Sequence, residues 1–256
     1  MQQWIKCSLI AGLTSTSLPS RYPITEVAVL GIDLFVSFSA GSNIAVYDKT
    51  TLTLTRNITV PGLSAATNIA TDPACPYVYT GEDKTVYQID PGHGYTVTSW
   101  FAGCGGYVRA VAVRGSSCVV TVSCSGGYTF QATGAGPATQ LFITGCQLNA
   151  AVWLSGSRLL YACSDSLMLW AGGVTSQVSR LANCAQSAVA VSSLGYVLVA
   201  DSCASPPTVA LLSPTLTFIR DLLTSTQSYS IGLDETGCGT LYVAVNNTIT
   251  VFSLRN

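Results

Sequence analysis

The 256-residue chain carries 11 Lys and Arg against 12 Asp and Glu, a formal net charge of −1, so it has neither the basic footprint of a nucleic-acid binder nor an acidic tail. Only 9% of its residues are charged, and no apolar run approaches the roughly eighteen residues of a membrane span, which predicts a soluble protein without membrane insertion. The length would fit one large all-β domain or two ordinary ones.

The first stretch, MQQWIKCSLIAGLTSTS, admits two readings. As a secretion signal it has Lys6 and then an apolar run, Cys7 to Leu13, but the run is short and no small-x-small cleavage site follows. As a strand, WIKCSLIAG needs a partner elsewhere in the chain.

From residue 24 onward the sequence repeats. The first unit reads EVAVLGID, LFVSF, NIAVYD and LTLTRNITVPG; the second reads NIATDPAC, YVYTG, TVYQID and YTVTSWFAG. The third has AVAVRGSS, VVTVS, YTFQATG and ATQLFITG, and the fourth AAVWLSGS, LLYAC, LMLWAG and SQVSRLANC. The fifth has AVAVSSLG, YVLVA, TVALLSP and LTFIRDLLT, and the sixth stops after SIGLDETG, LYVAV and TITVFS. Copies of the second segment start at Leu34, Tyr77, Val119, Leu159, Tyr196 and Leu241, steps of 43, 42, 40, 37 and 45 residues. The segments are rich in β-branched and aromatic residues and are bounded by turn formers, so each unit predicts four short strands.

Four-stranded units of this period predict an all-β, six-bladed β-propeller with four-stranded blades. The predicted blades are 24–62, 65–103, 107–145, 148–184, 187–224 and 228–254, all in a single domain over 1–256. The sixth unit lacks its fourth strand, and WIKCSLIAG matches YTVTSWFAG in length and in its final Ala-Gly. Residues 4–12 are therefore expected to close the ring by pairing with the C-terminal blade, a reading that outweighs the signal peptide.

The stretch YVLVADSCASPPTVALLSPTLTFIRDL resembles an NHL-type propeller repeat, and NIAVYDKTTLTLTRNITVPG is similar to the related YVTN repeats of cell-surface proteins. The chain departs from the NHL pattern in lacking Asn-Arg after the second strand and in adding cysteines. The resemblance implies a six-bladed ring with a binding or scaffold role, and it carries no catalytic residue.

Ten cysteines without a C-x-x-C pair, beside a single histidine, predict disulfides in an oxidising compartment rather than a zinc site. The position after the fourth strand holds cysteine at 104, 146 and 184. The end of the second strand in the following blade holds it at 124, 163 and 203. Both positions lie on one face of a propeller, which predicts Cys104–Cys124, Cys146–Cys163 and Cys184–Cys203. Cys75, Cys118 and Cys238 fall in first-to-second-strand turns on the other face, and Cys7 on the closing strand. A Cys7–Cys238 staple would leave Cys75–Cys118. The sequons at Asn57 and Asn246 point to glycosylation and the same secretory route.

Candidate chemistry is sparse. His93, in Pro91-Gly92-His93-Gly94, lacks a nucleophile motif and reads as a solvated turn residue rather than a general base or metal ligand. Glu82, Asp83, Asp165 and Asp201 follow second strands and could ring the channel mouth as oxygen ligands for Ca²⁺, although turn capping accounts for them better. Trp4, Trp100, Trp153 and Trp170 could stack on sugars, but their strand positions favour blade packing. Gly103-Cys104-Gly105-Gly106 lacks the strand-to-helix context of a phosphate cradle, and Arg109 and Arg114 are too scattered for nucleic acid. The sequence implies no cofactor and no enzymatic activity. It predicts an extracellular or cell-surface interaction module, in specific form a self-assembling surface-layer or filament subunit, whose partners are other proteins or its own copies. A glycan-binding lectin is the alternative and a propeller hydrolase the third reading.

Overall fold

The computed structural model describes residues 8–9, 14–17, 22–64, 68–101, 103–125, 128–133, 139–141, 146, 148–154, 157–180, 187–201, 204–224, 230–234 and 239–255. Two short strands, β1 (Ser8–Leu9) and β2 (Thr14–Ser17), precede six blades. Blade 1 holds β3 (Ile24–Leu30), β4 (Asp33–Phe38), β5 (Asn43–Asp48) and β6 (Leu54–Thr59). Blade 2 holds β7 (Asn68–Ala70), β8 (Val78–Glu82), β9 (Thr85–Asp90) and β10 (Thr96–Phe101), with a 3-10 turn at Pro91–His93. Blade 3 holds β11 (Val108–Arg114), β12 (Val119–Cys124), β13 (Tyr128–Thr133) and β14 (Thr139–Leu141). Blade 4 holds β15 (Ala150–Trp153), β16 (Arg158–Ala162), β17 (Ser166–Ala171) and β18 (Val174–Arg180). Blade 5 holds β19 (Ser187–Val191), β20 (Val197–Asp201), β21 (Thr208–Leu212) and β22 (Phe218–Thr224). Blade 6 holds β23 (Ser230–Asp234), β24 (Thr240–Val245) and β25 (Thr248–Arg255).

Each blade is an antiparallel meander. Each first strand packs against the first strand of the next blade, and β23 returns to β3, so the sheets form a closed six-bladed propeller. The second strands are covered on both faces by neighbouring blades, which is why they read as unbroken apolar runs: Leu34, Phe35 and Val36 are fully buried. The outer strands face solvent, and β6 is exposed at five of its six positions, which permits its polar LTRNIT sequence. Gly81 in β8 has a steric reason, since a Cβ there would sit 2.6 Å from Val108 of the next blade.

The core is divided among the seams. Six apolar clusters each join two adjacent blades, as where Phe35, Ile44 and Val46 of blade 1 meet Ile69, Val78 and Ile89 of blade 2. Each fully buried Leu, Ile or Phe contributes about 1.5–3 kcal/mol. Polar bonds near the axis add direction to this packing. The Ser230 Oγ accepts from Val27 N at 3.0 Å, Glu26 Oε2 accepts from Ile69 N at 2.8 Å, and Asp72 Oδ2 accepts from Gly115 N at 2.9 Å. Trp153 Nε1 donates to Thr121 Oγ1 at 3.1 Å, linking blade 4 to blade 3.

The N-terminal segment closes the ring: β1 lies within the expected 4–12, and β2 carries the pairing beyond it. The longer pairing is β2 on β25, with Thr14 opposite Val251 and Ser17 opposite Thr248; β1 adds Ser8 opposite Arg255 and Leu9 opposite Leu254. Residues 4–7 and 10–12 lie outside the described residues. An outermost strand needs only backbone N–H and C=O groups on one side, so hydroxyl-rich Thr-Ser-Thr-Ser pairs as well as an apolar segment would. Matching apolar patterns therefore found the end of the chain responsible and the part of it that holds β1, but not the further pairing at β2.

Candidate functional site

The first strands bring small apolar residues to the axis, among them Ala28, Ala70, Ala112 and Val152, around a channel of about 150 Å³ that is partly open to solvent. Glu26 is a carboxylate within this wall. Burial pushes its carboxyl up to about 8, partly offset by the Ile69 N–H it accepts. Between the ordinary 4.5 and about 8 the folded chain holds a proton that the unfolded chain has lost. The stabilisation from this group is therefore complete below 4.5 and is lost as pH rises through 8. Chemical denaturation of wild type should show stability falling across that window by on the order of 5 kcal/mol relative to Glu26→Gln, whose profile should be flatter. Parallel profiles would show that Glu26 titrates normally.

Two faces flank the channel. The upper face carries the second-to-third-strand turns and the connections between blades; the lower face carries the first-to-second and third-to-fourth turns. Seven large apolar or aromatic side chains among the described residues are exposed, and five of them, Ile32, Leu54, Val174, Leu194 and Phe218, lie in or beside lower-face turns. Tyr22 and Tyr107 lie at the upper face.

Among the described residues the lower-face carboxylates Asp33, Asp48, Asp72 and Asp234 are each held by a neighbour. Asp48 accepts from Thr50 N, Thr51 N and Thr51 Oγ1, which together lower its pKa. Asp72 accepts from Ala74 N as well as Gly115 N. Asp33 Oδ2 accepts from the Tyr95 hydroxyl at 2.5 Å, while burial and this bond to Asp33 push the phenol up to about 12. Lys49 pairs with Asp234 at 2.8 Å, tying blade 1 to blade 6. The result is a surface with exposed apolar turns and acids already held by neighbours.

His93 lies in the 3-10 turn with its side chain 82% exposed, and its Nδ1 is 2.7 Å from Asp90 Oδ2. Glu82 ends β8, where both of its oxygens accept from Ser64, one from the backbone N–H and one from Oγ at 2.5 Å. The Asp83 carbonyl accepts from Val108 N at 2.6 Å, and Asp165 Oδ1 accepts from Ser166 Oγ at 3.1 Å. Asp201, 8% exposed, accepts from Ala204 N at 3.2 Å. These four carboxylates belong to blades 2, 4 and 5, and among the described residues no three metal-ligating side chains come together.

Among the described residues the tryptophans are used in packing. Trp153 and Trp170 meet edge to face at 6.3 Å, with the Arg114 guanidinium 4.2 Å over the Trp153 ring, and Trp100 meets Tyr79 at 5.4 Å. Trp4 lies outside the described residues. Gly103, Gly105 and Gly106 lie in the connection from blade 2 to blade 3, and Arg109 is exposed on β11.

Disulfides join Cys104 to Cys124 and Cys146 to Cys163, with Cα separations of 5.5 and 5.9 Å. Each ties the connection leaving one blade to the second strand of the next. Cys75 and Cys118 join the first turns of blades 2 and 3 with Cα atoms 5.2 Å apart. Cys7, Cys184, Cys203 and Cys238 fall outside the described residues. Asn57 is exposed on β6, and Asn246 is exposed in the β24–β25 turn.

Glu26, Ile32, Leu194 and Phe218 did not stand out in the sequence as candidates. Glu26 had a usable signal, since EVAVL carries an acid where AVAVR, AAVWL and AVAVS carry small apolar residues.

No family model matches this chain, and no curated protein matches it by sequence. Among solved structures it is similar to that described as the crystal structure of RRP9 WD40 repeats, with a TM-score of 0.76 and 12% identity over 98% of this chain and 100% of that one. It is also similar to the structure of U3-55K, with a TM-score of 0.73 and 11% identity over 94% of this chain and 98% of that one. These likenesses establish the propeller fold. The NHL and YVTN resemblance holds at the level of a propeller blade, and no NHL family match accompanies it.

Proposed function

We propose that the protein is a non-catalytic interaction module of the extracellular space or cell surface that docks on protein through its lower face, in specific form on copies of itself within a layer or filament. One observation carries this reading: among the described residues, five of the seven exposed large apolar side chains lie on that face, beside acids already bonded to neighbours. A contact there would bury apolar surface with little charge to desolvate. The three disulfides support an oxidising location, and Asn57 is accessible to a glycan. Similarity to WD40 repeats is compatible with a scaffold and supplies no partner.

Sedimentation of the secreted protein tests the reading. Wild type should self-associate in a concentration-dependent way, and Ile32→Ser combined with Leu194→Ser should weaken that association about tenfold while leaving the melt unchanged. Monomeric wild type at all concentrations would remove the self-assembling form. The intact mass of the same material should show glycan at Asn57, and a bare mass would remove the secretory argument drawn from the sequon.

A further inference from the structure

Among the described residues the exposed apolar side chains of the lower face fall into two groups. Ile32 and Leu54 belong to blade 1, while Leu194 and Phe218 belong to blade 5, with Val174 on the adjoining blade 4. Blade 6 separates the groups on one side of the ring, and blades 2 and 3 separate them on the other. Both groups sit in or beside first-to-second or third-to-fourth turns, so both lie on the same side of the disc. That placement limits how two copies can meet. Copies joined symmetrically through one and the same face are turned over relative to each other, about a two-fold axis in the plane of the ring. A lower face covered by a disc of its own size has no room for a third copy.

With six blades in sequence round the ring, an axis through blades 3 and 6 sets blade 1 of each copy against blade 5 of the other. Ile32 and Leu54 then face Leu194 and Phe218, and the match occurs twice. The same axis sets blade 2, with Asp72 and Asp90, against blade 4, whose lower turn ends at Arg158, so opposite charges meet. On the axis itself blades 3 and 6 meet their own copies. There Asp234 is paired with Lys49, and Arg114 is turned aside over Trp153 of blade 4. An axis through blades 1 and 4 instead brings Asp48 toward Asp48 and sets the acids of blade 2 against Asp234. An axis through blades 2 and 5 brings Asp72 and Asp90 toward their own copies. Like charges facing each other disfavour both alternatives.

We infer that the lower face pairs with the lower face of a second copy about the axis through blades 3 and 6, an inference that rests on the interaction-module reading above. The product is a closed dimer with two equal contacts, each made by blade 1 of one copy and blade 5 of the other. A layer or filament has to join such pairs through other surfaces. The crossed contacts also distinguish this dimer from one in which a patch meets its own copy. Ile32→Ser damages both contacts of a dimer made of that variant, and so does Leu194→Ser. In a mixed dimer both changes fall in one contact, and the other contact is intact.

The test is fluorescence-detected sedimentation of the two single variants, alone and mixed. Wild type should reach two copies and stop there. Labelled Ile32→Ser should dimerise about tenfold more weakly than wild type, and labelled Leu194→Ser likewise. An excess of unlabelled Leu194→Ser should bring labelled Ile32→Ser back to within about threefold of wild type, whereas an excess of unlabelled Ile32→Ser should not. Both variants should melt as wild type does, since both side chains are exposed in turns. No gain on mixing, or masses beyond two copies, would overturn the paired geometry and leave self-association standing. Wild type that stays monomeric at every concentration would overturn self-association and the dimer together.

Discussion

Deleting residues 1–17 should lower the melting temperature by more than 10 °C and make the protein form irreversible aggregates on warming at temperatures where the full chain does not. Both described segments of the closing strand, β1 and β2, fall within the deletion, and they pair with β25 at Ser8–Arg255, Leu9–Leu254 and Thr14–Val251 through Ser17–Thr248. Their loss uncovers the backbone of TITVFSLR, an apolar and β-branched edge suited to pairing with another molecule. A synthetic peptide covering residues 1–17, added in trans, should restore part of the melt by occupying the vacated edge. Differential scanning calorimetry with light scattering reads both effects. An unchanged melt would mean that the sixth blade stands on three strands and that ring closure contributes nothing.

The second large effect is expected from the disulfide between blades 2 and 3. Cys75→Ser together with Cys118→Ser should cost about 4 kcal/mol, because that bridge closes a loop of 43 residues. For a chain of this size the loss corresponds to roughly 8 °C in melting temperature. Cys146→Ser with Cys163→Ser, across a separation of 17, should cost about 3 kcal/mol in the same chain-entropy account. The ranking is the sharper measurement: denaturant midpoints of the two double variants should fall in that order. The reverse order would show that local packing around Cys146 outweighs the entropy of the longer loop.

The propeller itself was legible because its repeat is written in the second strands. LFVSF, LLYAC and YVLVA are apolar throughout because a blade covers each face, and burial leaves few alternatives at those positions. The closing strand was only partly legible because an outer edge constrains side chains weakly: WIKCSLIAG holds β1, while nothing apolar marked the Thr-Ser-Thr-Ser that makes most of the pairing among the described residues. Cys104 and Cys124 were legible as partners because two repeat positions gain cysteine together. Cys75 and Cys118, in equivalent turns of adjacent blades, could be assigned only by elimination. The bulges in two outer strands were not legible: extra residues at Val178 of β18 and at Ile219 and Leu222 of β22 change register without leaving a mark in composition.

Closing the ring with β2 also sets an order in time. Ser17 is synthesised 231 residues before its partner Thr248, an interval of roughly 10–50 s at ribosomal speeds of about 5–20 residues per second. Through that interval five complete blades can form while the future closing strand has no native partner. A strongly apolar segment kept waiting would tend to pair with whichever edge emerged first. Thr14-Ser15-Thr16-Ser17 instead offers competing edges little beyond backbone hydrogen bonds. The same hydroxyl-rich sequence that obscured this strand from apolar pattern matching thus suits a segment that must stay unattached until β25 has been made.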